Sequence, residues 1–271
     1  MLVRNVKEYL DLRFPKDNAE EFDQGSIGLA IGSENIVIEN ILLSLDLNKE
    51  VVKEAILKKC NLIITHHPFL FNPIQKILFD TEKGEIIKLM CEHNISLYSM
   101  HTNLDVGSGG VNDVLAKMLG INDYKIINNE ASKGNYLRYG NIQEITLKDL
   151  ANNIKNIFNL NGVRVLGDLN KKIKRIGVVG GSGAHTSDIY NAVSKKLDCY
   201  ITGEVHLNNS QLADYFDLSI IATNQHIFAS FESAFKIQVQ ILHDVFQNVM
   251  VFMFLHRKLH TPKGHRAHRL G

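Results

Sequence analysis

The sequence predicts an α/β protein, and three observations lead there. Apolar runs of four to six residues alternate with amphipathic stretches along the whole 271-residue chain. Hydrophobic residues make up 45% and charged residues 22%, the balance of a chain that buries a core, which excludes disorder and collagen-like repeats. The longest apolar run near the C-terminus, Val249 to Leu255, falls far short of the roughly 20 residues that span a bilayer. The first residues lack the apolar core and small-residue cleavage site of a signal peptide, so the expected location is cytoplasmic, away from membranes.

The elements follow in order. Val3–Phe14 opens the chain as a helical pattern, and Ile36–Ile38 and Ile41–Leu45 read as strands. Lys49–Lys59 places Val51, Val52, Ala55 and Ile56 on one helical face. Strand Leu62–Thr65, helix Lys83–His93, strand Ser96–Met100 and helix Val111–Leu119 complete the first half. Strands Gly162–Leu166, Arg175–Val179, Cys199–Thr202, Ser219–Thr223 and Val249–Phe254 are expected in the second half. Helices Leu147–Asn159, Ser187–Lys196 and Phe231–Gln247 lie between them. Strand–helix units of this kind build mostly parallel sheets with right-handed crossovers.

The stretch Asn122–Asn135 is polar and without period, so a boundary falls there. The division is a first α/β domain over 1–124, a second over 125–254, and a basic tail over 255–271. The two halves share the same alternation, as an old duplication would leave them. The tail holds five basic residues, no acidic ones and four histidines, and reads first as a frayed or vector-derived end. Without it the body has 25 basic against 29 acidic residues, near −4, which argues against a nucleic-acid groove. Cys60, Cys91 and Cys199 are scattered and odd in number, so neither a disulfide framework nor a thiolate zinc site is expected.

Three strand ends deliver histidine. Ile63-Ile64-Thr65 runs into His66-His67-Pro68, and the proline holds His67 extended as the chain leaves the strand. Consecutive strand residues point to opposite faces, so both rings converge only where the strand breaks. Ile95–Tyr98 leads to His101-Thr102-Asn103-Leu104-Asp105, where an imidazole and a carboxylate four apart share one face of a turn. Ser219–Thr223 leads to Asn224-Gln225-His226, with Glu232 six residues on. Carboxyl ends of strands in open α/β sheets are where ligands bind, and imidazole with carboxylate suits Zn, Fe, Mn, Co or Ni. Glycine-rich turns at Gly107–Gly110, Gly180–Gly183 and Thr202-Gly203-Glu204 match neither phosphate-loop pattern, and tight turns are the simpler reading.

Taken together these residues resemble the Nif-three-like dinuclear-metal proteins, also called GTP cyclohydrolase I type 2 homologues. The resemblance runs to about residue 250. It rests on Glu21-Phe22-Asp23 with Gly28-Leu29 and Gly32, Ser44-Leu45-Asp46, His66-His67-Pro68 and His101 to Asp105. Gly109-Gly110-Val111-Asn112-Asp113, Gly180-Gly181-Ser182-Gly183 and Thr202-Gly203-Glu204 complete it. It implies two similar α/β domains with two divalent metal ions between them, held by His66, His67, His101, Asp105 and His226. The family's glutamate four residues after its last histidine is Ser230 here, which leaves Glu232 as the nearest carboxylate. Gln225 stands where members usually have glycine, and Asn208 where some carry histidine. The resemblance also implies a ring-shaped homohexamer.

Two functions follow. One is a metal-dependent hydrolase on a nucleotide-like or phosphorylated substrate, with Asp105 bridging the ions and Glu204 as a catalytic proton acceptor or supporting partner. The other is a carrier of iron or zinc, or a regulatory binding protein, without turnover.

Overall fold

The computed structural model describes residues 1–127, 135–223 and 249–254. Two sheets form it. The first has the order β1 (Gly28–Ile31), β4 (Ser96–Ser99), β3 (Cys60–Thr65), β2 (Asn40–Ser44), β11 (Met250–Met253). All its neighbours pair in parallel except β1, which runs antiparallel to β4. The second has the order β5 (Lys125–Ile126), β6 (Arg138–Thr146), β8 (Lys172–Val179), β9 (Cys199–Thr202), β10 (Ser219–Ala222), β7 (Arg164–Leu166). Its centre, β8, β9 and β10, is parallel, and β5, β6 and β7 add antiparallel flanks.

The central strands are apolar because both of their faces are covered. Ile41, Leu42, Leu43, Ile63 and Ile64 have no exposed surface, nor do Ile176, Val178 and Ile221. Burial on that scale contributes about 1.5–3 kcal/mol per side chain. The helices α1 (Val3–Arg13), α2 (Lys49–Leu57), α3 (Glu82–Glu92), α5 (Val111–Met118), α6 (Leu147–Ile157) and α7 (Thr186–Ser194) lie within two residues of their expected bounds. Asn48, Thr81 and Thr146 begin three of them by accepting the N–H of Val51, Gly84 and Asp149, each cap being worth about 1 kcal/mol. One apolar cluster joins the halves, with Val111, Val114 and Leu115 of α5 meeting Ile176 and Val178 of β8.

Several elements differ from expectation. Ile36–Ile38 is no strand; only Val37 bridges to Leu2. Strands β1 and β6 and the short helices α4 (Thr102–Val106) and α8 (Leu207–Tyr215) were not anticipated. Strand β11, expected among the second-half strands, pairs with β2 of the first sheet, so the chain returns to where it began. Its apolar face completes the cluster on α2, where Phe252 and Phe254 pack. The expected helix Phe231–Gln247 lies outside the described residues.

Candidate metal centre

Parallel register sets the site. Ser44, Thr65 and Ser99 stand in one row at the carboxyl ends of β2, β3 and β4. The chain continues past that row as Leu45-Asp46, His66-His67 and Met100-His101. Backbone bonds extend the ladder a little further: His66 N–H to Ser44 O (3.3 Å), His67 N–H to Leu45 O (2.9 Å) and Met100 N–H to Thr65 O (2.9 Å). Three neighbouring strand ends therefore converge on one spot.

The three imidazoles offer ligand atoms that all lie within 4.8 Å of one another. Ring centroids are 5.0 Å apart for His66 and His67, 5.2 Å for His66 and His101, and 5.8 Å for His67 and His101. His66 is buried, His101 partly so, and His67 sits at the exposed rim. Asp105, in the last turn of α4, brings Oδ1 to 3.7 Å from His66 Nε2. Phe71 closes one side, its ring 6.3 Å from that of His101 and 6.3 Å from that of Phe22.

Two carboxylates hold the rings from behind. Asp23 Oδ2 lies 2.9 Å from His101 Nδ1, and Asp46 Oδ1 lies 2.6 Å from His67 Nδ1. When Nδ1–H donates to a carboxylate, Nε2 keeps its lone pair, the arrangement found behind metal-bound histidines. Asp23 is itself completely buried, and accepts from Ser26 Oγ (2.6 Å), Thr102 Oγ1 (2.6 Å) and Thr102 N–H (3.1 Å).

The electrostatics favour a cation. Burial, reinforced by His101 and His67, pushes the pKa of His66 well below its usual 6.5, leaving a neutral ligand. Burial would lower His101 too, but the Asp23 carboxylate outweighs it and raises the ring. Burial alone would raise Asp23; its hydrogen bonds from His101, Ser26 and Thr102 hold it far below the carboxylate range. Asp105 goes the other way, pushed up to about 6 by burial despite the nearby histidines. Its side chain keeps 20% exposure, so the enclosure comes from surrounding groups rather than from complete loss of water. Three crowded imidazoles with a carboxyl beside them form a donor set for a divalent ion, which would bind in exchange for the protons that Asp105 and His101 hold.

Of the residues expected at the site, His66, His67, His101 and Asp105 come together. His226 and Glu232 lie outside the described residues. Glu204 follows β9 on the second sheet, where its N–H donates to Gly181 O (3.1 Å), and it is not part of the histidine cluster. Sequence reasoning assigned no role to Asp23 and Asp46. The only signal was their place in the matched motifs, because a carboxylate behind a ring has no spacing rule that links it to that ring.

The fold agrees with that of known proteins. Against a Staphylococcus aureus crystal structure the chain aligns with a TM-score of 0.86 and 28% identity, covering 98% of this chain and 99% of that one. A Clostridium acetobutylicum protein named "GTP cyclohydrolase 1 type 2 homolog" is 37% identical over 225 residues, 80% of this chain and 81% of the relative. One of the same name from Streptococcus pneumoniae is 34% identical over 215 residues, 78% of this chain and 80% of the relative. The profile of the family described as Duf34/NIF3 (NGG1p interacting factor 3) matches residues 1–256, and the chain belongs to that family.

Proposed function

We propose that this chain is a two-metal hydrolase acting on a nucleotide-like or phosphorylated substrate, the class to which the names of its relatives point. The observation that carries the reading is the triad of imidazoles with the Nδ1 atoms of His67 and His101 engaged by Asp46 and Asp23. In this reading His66, His67, His101 and Asp105 of the first half and His226 and Glu232 of the second hold two divalent ions at the junction of two domains. A bound ion of this kind polarises a substrate oxygen and acidifies water. The protein's own groups orient and enclose: Asp23 and Asp46 fix the rings, and Phe22 and Phe71 wall the approach. Glu204 accepts a proton or supports the second half's ligands. Among the described helices none is long and apolar enough to cross a membrane. A cytoplasmic, ring-shaped homohexamer is the assembly and place that go with this reading.

One observation favours a second reading, a metal carrier without turnover. Each acid or base described at the triad either faces the cluster or is engaged by one of its histidines. The deciding experiment assays purified protein on GTP and a panel of phosphoesters, with and without added divalent metal, beside elemental analysis. Metal-dependent turnover that disappears in His66→Ala supports the hydrolase. Stoichiometric metal with no turnover supports the carrier, and no metal uptake at all removes both. Glu232→Ala tests the displaced glutamate: one ion is lost if it is a ligand, and unchanged stoichiometry takes it out of the site.

A further inference from the structure

Helix α4 spans only Thr102–Val106, yet it has His101 at its N-cap and Asp105 in its last turn. So short a helix gains little from its own hydrogen bonds, and its last carbonyls have no partner within it. Two side chains from outside meet them. Arg138 Nη2 donates to the Val106 carbonyl at 2.9 Å, and Asn112 Nδ2 donates to that of Asp105 at 3.1 Å.

Both donors are anchored where the halves meet. Arg138 is fully buried, and its Nε donates to Asp113 Oδ1 at 2.5 Å. Asn112, in the first turn of α5, is 1% exposed. Its Oδ1 accepts the Gly180 N–H at 2.8 Å, from the peptide that closes β8 of the second sheet. The Gly180 N–H can only donate and the Asp105 carbonyl can only accept, so a bridge between them needs an acceptor and a donor in one side chain. A primary amide supplies both, whereas an ionised carboxylate could not donate. An apolar side chain would leave both backbone groups unpaired.

We propose that Asn112 is a positioning residue of the histidine site: by tying the Asp105 backbone to the second sheet, it sets where that carboxylate stands, 3.7 Å from His66 Nε2. The inference rests on the metal-site reading and adds to it a route by which the second half of the chain places a ligand of the first. Asn112 donates to the carbonyl of Asp105 and not to its carboxylate, so its influence on an ion passes through the position of the main chain. Removing the amide releases one of the two anchors at the end of α4, while Arg138 still holds Val106.

Titration of the full chain with Co(II) tests this, followed by calorimetry and by the visible absorption that reports ligand geometry. The proteins are wild type, Asn112→Leu, Asn112→Ser, Ile176→Val and His66→Ala. Leucine keeps the volume and removes both bonds; serine is too short to span them and serves should the leucine variant not fold. Each Asn112 variant should bind Co(II) about tenfold more weakly with shifted absorption bands, the scale of losing a partner behind a metal ligand. Ile176→Val trims the apolar contact between α5 and β8 without touching the bridge. It should lower the melting temperature and keep wild-type affinity and bands. Wild-type affinity and bands in a folded Asn112 variant, equal losses in Ile176→Val, or no folded Asn112 variant at all overturn the proposal and leave the metal-site reading standing. A wild type that takes up no more Co(II) than His66→Ala does overturns that reading and the proposal with it.

Discussion

The two sheets present carboxyl edges of the same architecture and opposite chemistry. Beyond β2, β3 and β4 the chain sets side chains on the edge: Asp46, His66, His67, His101 and, from α4, Asp105. Beyond β8 and β9 it sets glycine. A Cβ on Gly203 would stand 2.4 Å from the Gly181 carbonyl oxygen, and one on Gly183 would stand 2.2 Å from Val179 Cγ1. Backbone close approach accounts for those glycines, and no anion is needed to explain them. Parallel strands make an edge where groups converge, but the residue types just past the last ladder bond decide whether it becomes a donor set or a packed turn.

Mutations separate the two kinds of edge. The largest effect is expected for Asp105→Ala, which removes the carboxylate facing the histidines and should abolish bound metal by elemental analysis while the fold persists. Metal retained at wild-type stoichiometry would place Asp105 outside the donor set. Next comes Asp113→Ala, which strands the fully buried Arg138 charge where the halves meet. It should cost about 3–5 kcal/mol in denaturant unfolding at neutral pH.

That cost should depend on pH in a defined direction. Burial would raise the Asp113 carboxyl, but Arg138 and the Gly109 N–H hold it below its usual 3.8. A depressed carboxylate stabilises the fold fully above its unfolded value, and that contribution drains away as pH falls through the lower folded one. The gap between wild type and Asp113→Ala should therefore be constant near neutrality and narrow below about pH 4. A gap that widens in acid would contradict the assignment.

Gly203→Ala sharpens the comparison from the glycine side. The clash with Gly181 should destabilise by about 1–3 kcal/mol and leave metal affinity untouched; reduced metal binding with normal stability would mean the second edge belongs to the site. The smallest effect is expected for Asp46→Ala. Its carboxylate and the His67 ring it holds are about half exposed, so affinity should fall about tenfold, the low end for such partners. The melting temperature should not move. An unchanged affinity would show that His67 needs no anchor.

Much of this was legible one element at a time. The apolar runs at Leu62–Thr65, Ser96–Met100 and Cys199–Thr202 read as strands from their length and their neighbouring helical stretches. Each histidine stood visibly at a strand end. What escaped were elements whose local pattern is weak. Strand β1 has four half-buried residues, Gly28 to Ile31, and Gly32 after it is required because a Cβ there would meet Ser96 Oγ at 2.3 Å. Strand β6 carries Gly140 and alternates poorly, since Arg138 is buried and Gln143 and Glu144 are exposed. Val37 looked like part of a strand, yet only its bridge to Leu2 survives, with its side chain 61% exposed.

By itself the sequence determined the α/β class, the helices and the strands that carry His66, His67 and His101, because periodicity and strand-end position are local properties. Only the tertiary structure decided which residues stand behind the rings. Asp23 reaches His101 across 78 positions and Asp46 reaches His67 across 21. Arg138 reaches the Val106 carbonyl and Asp113 from the second sheet, and β11 returns to the first. Such pairings are set by sheet order and by the register of parallel strands. Those depend on which apolar faces bury one another, and no interval along the chain encodes that choice.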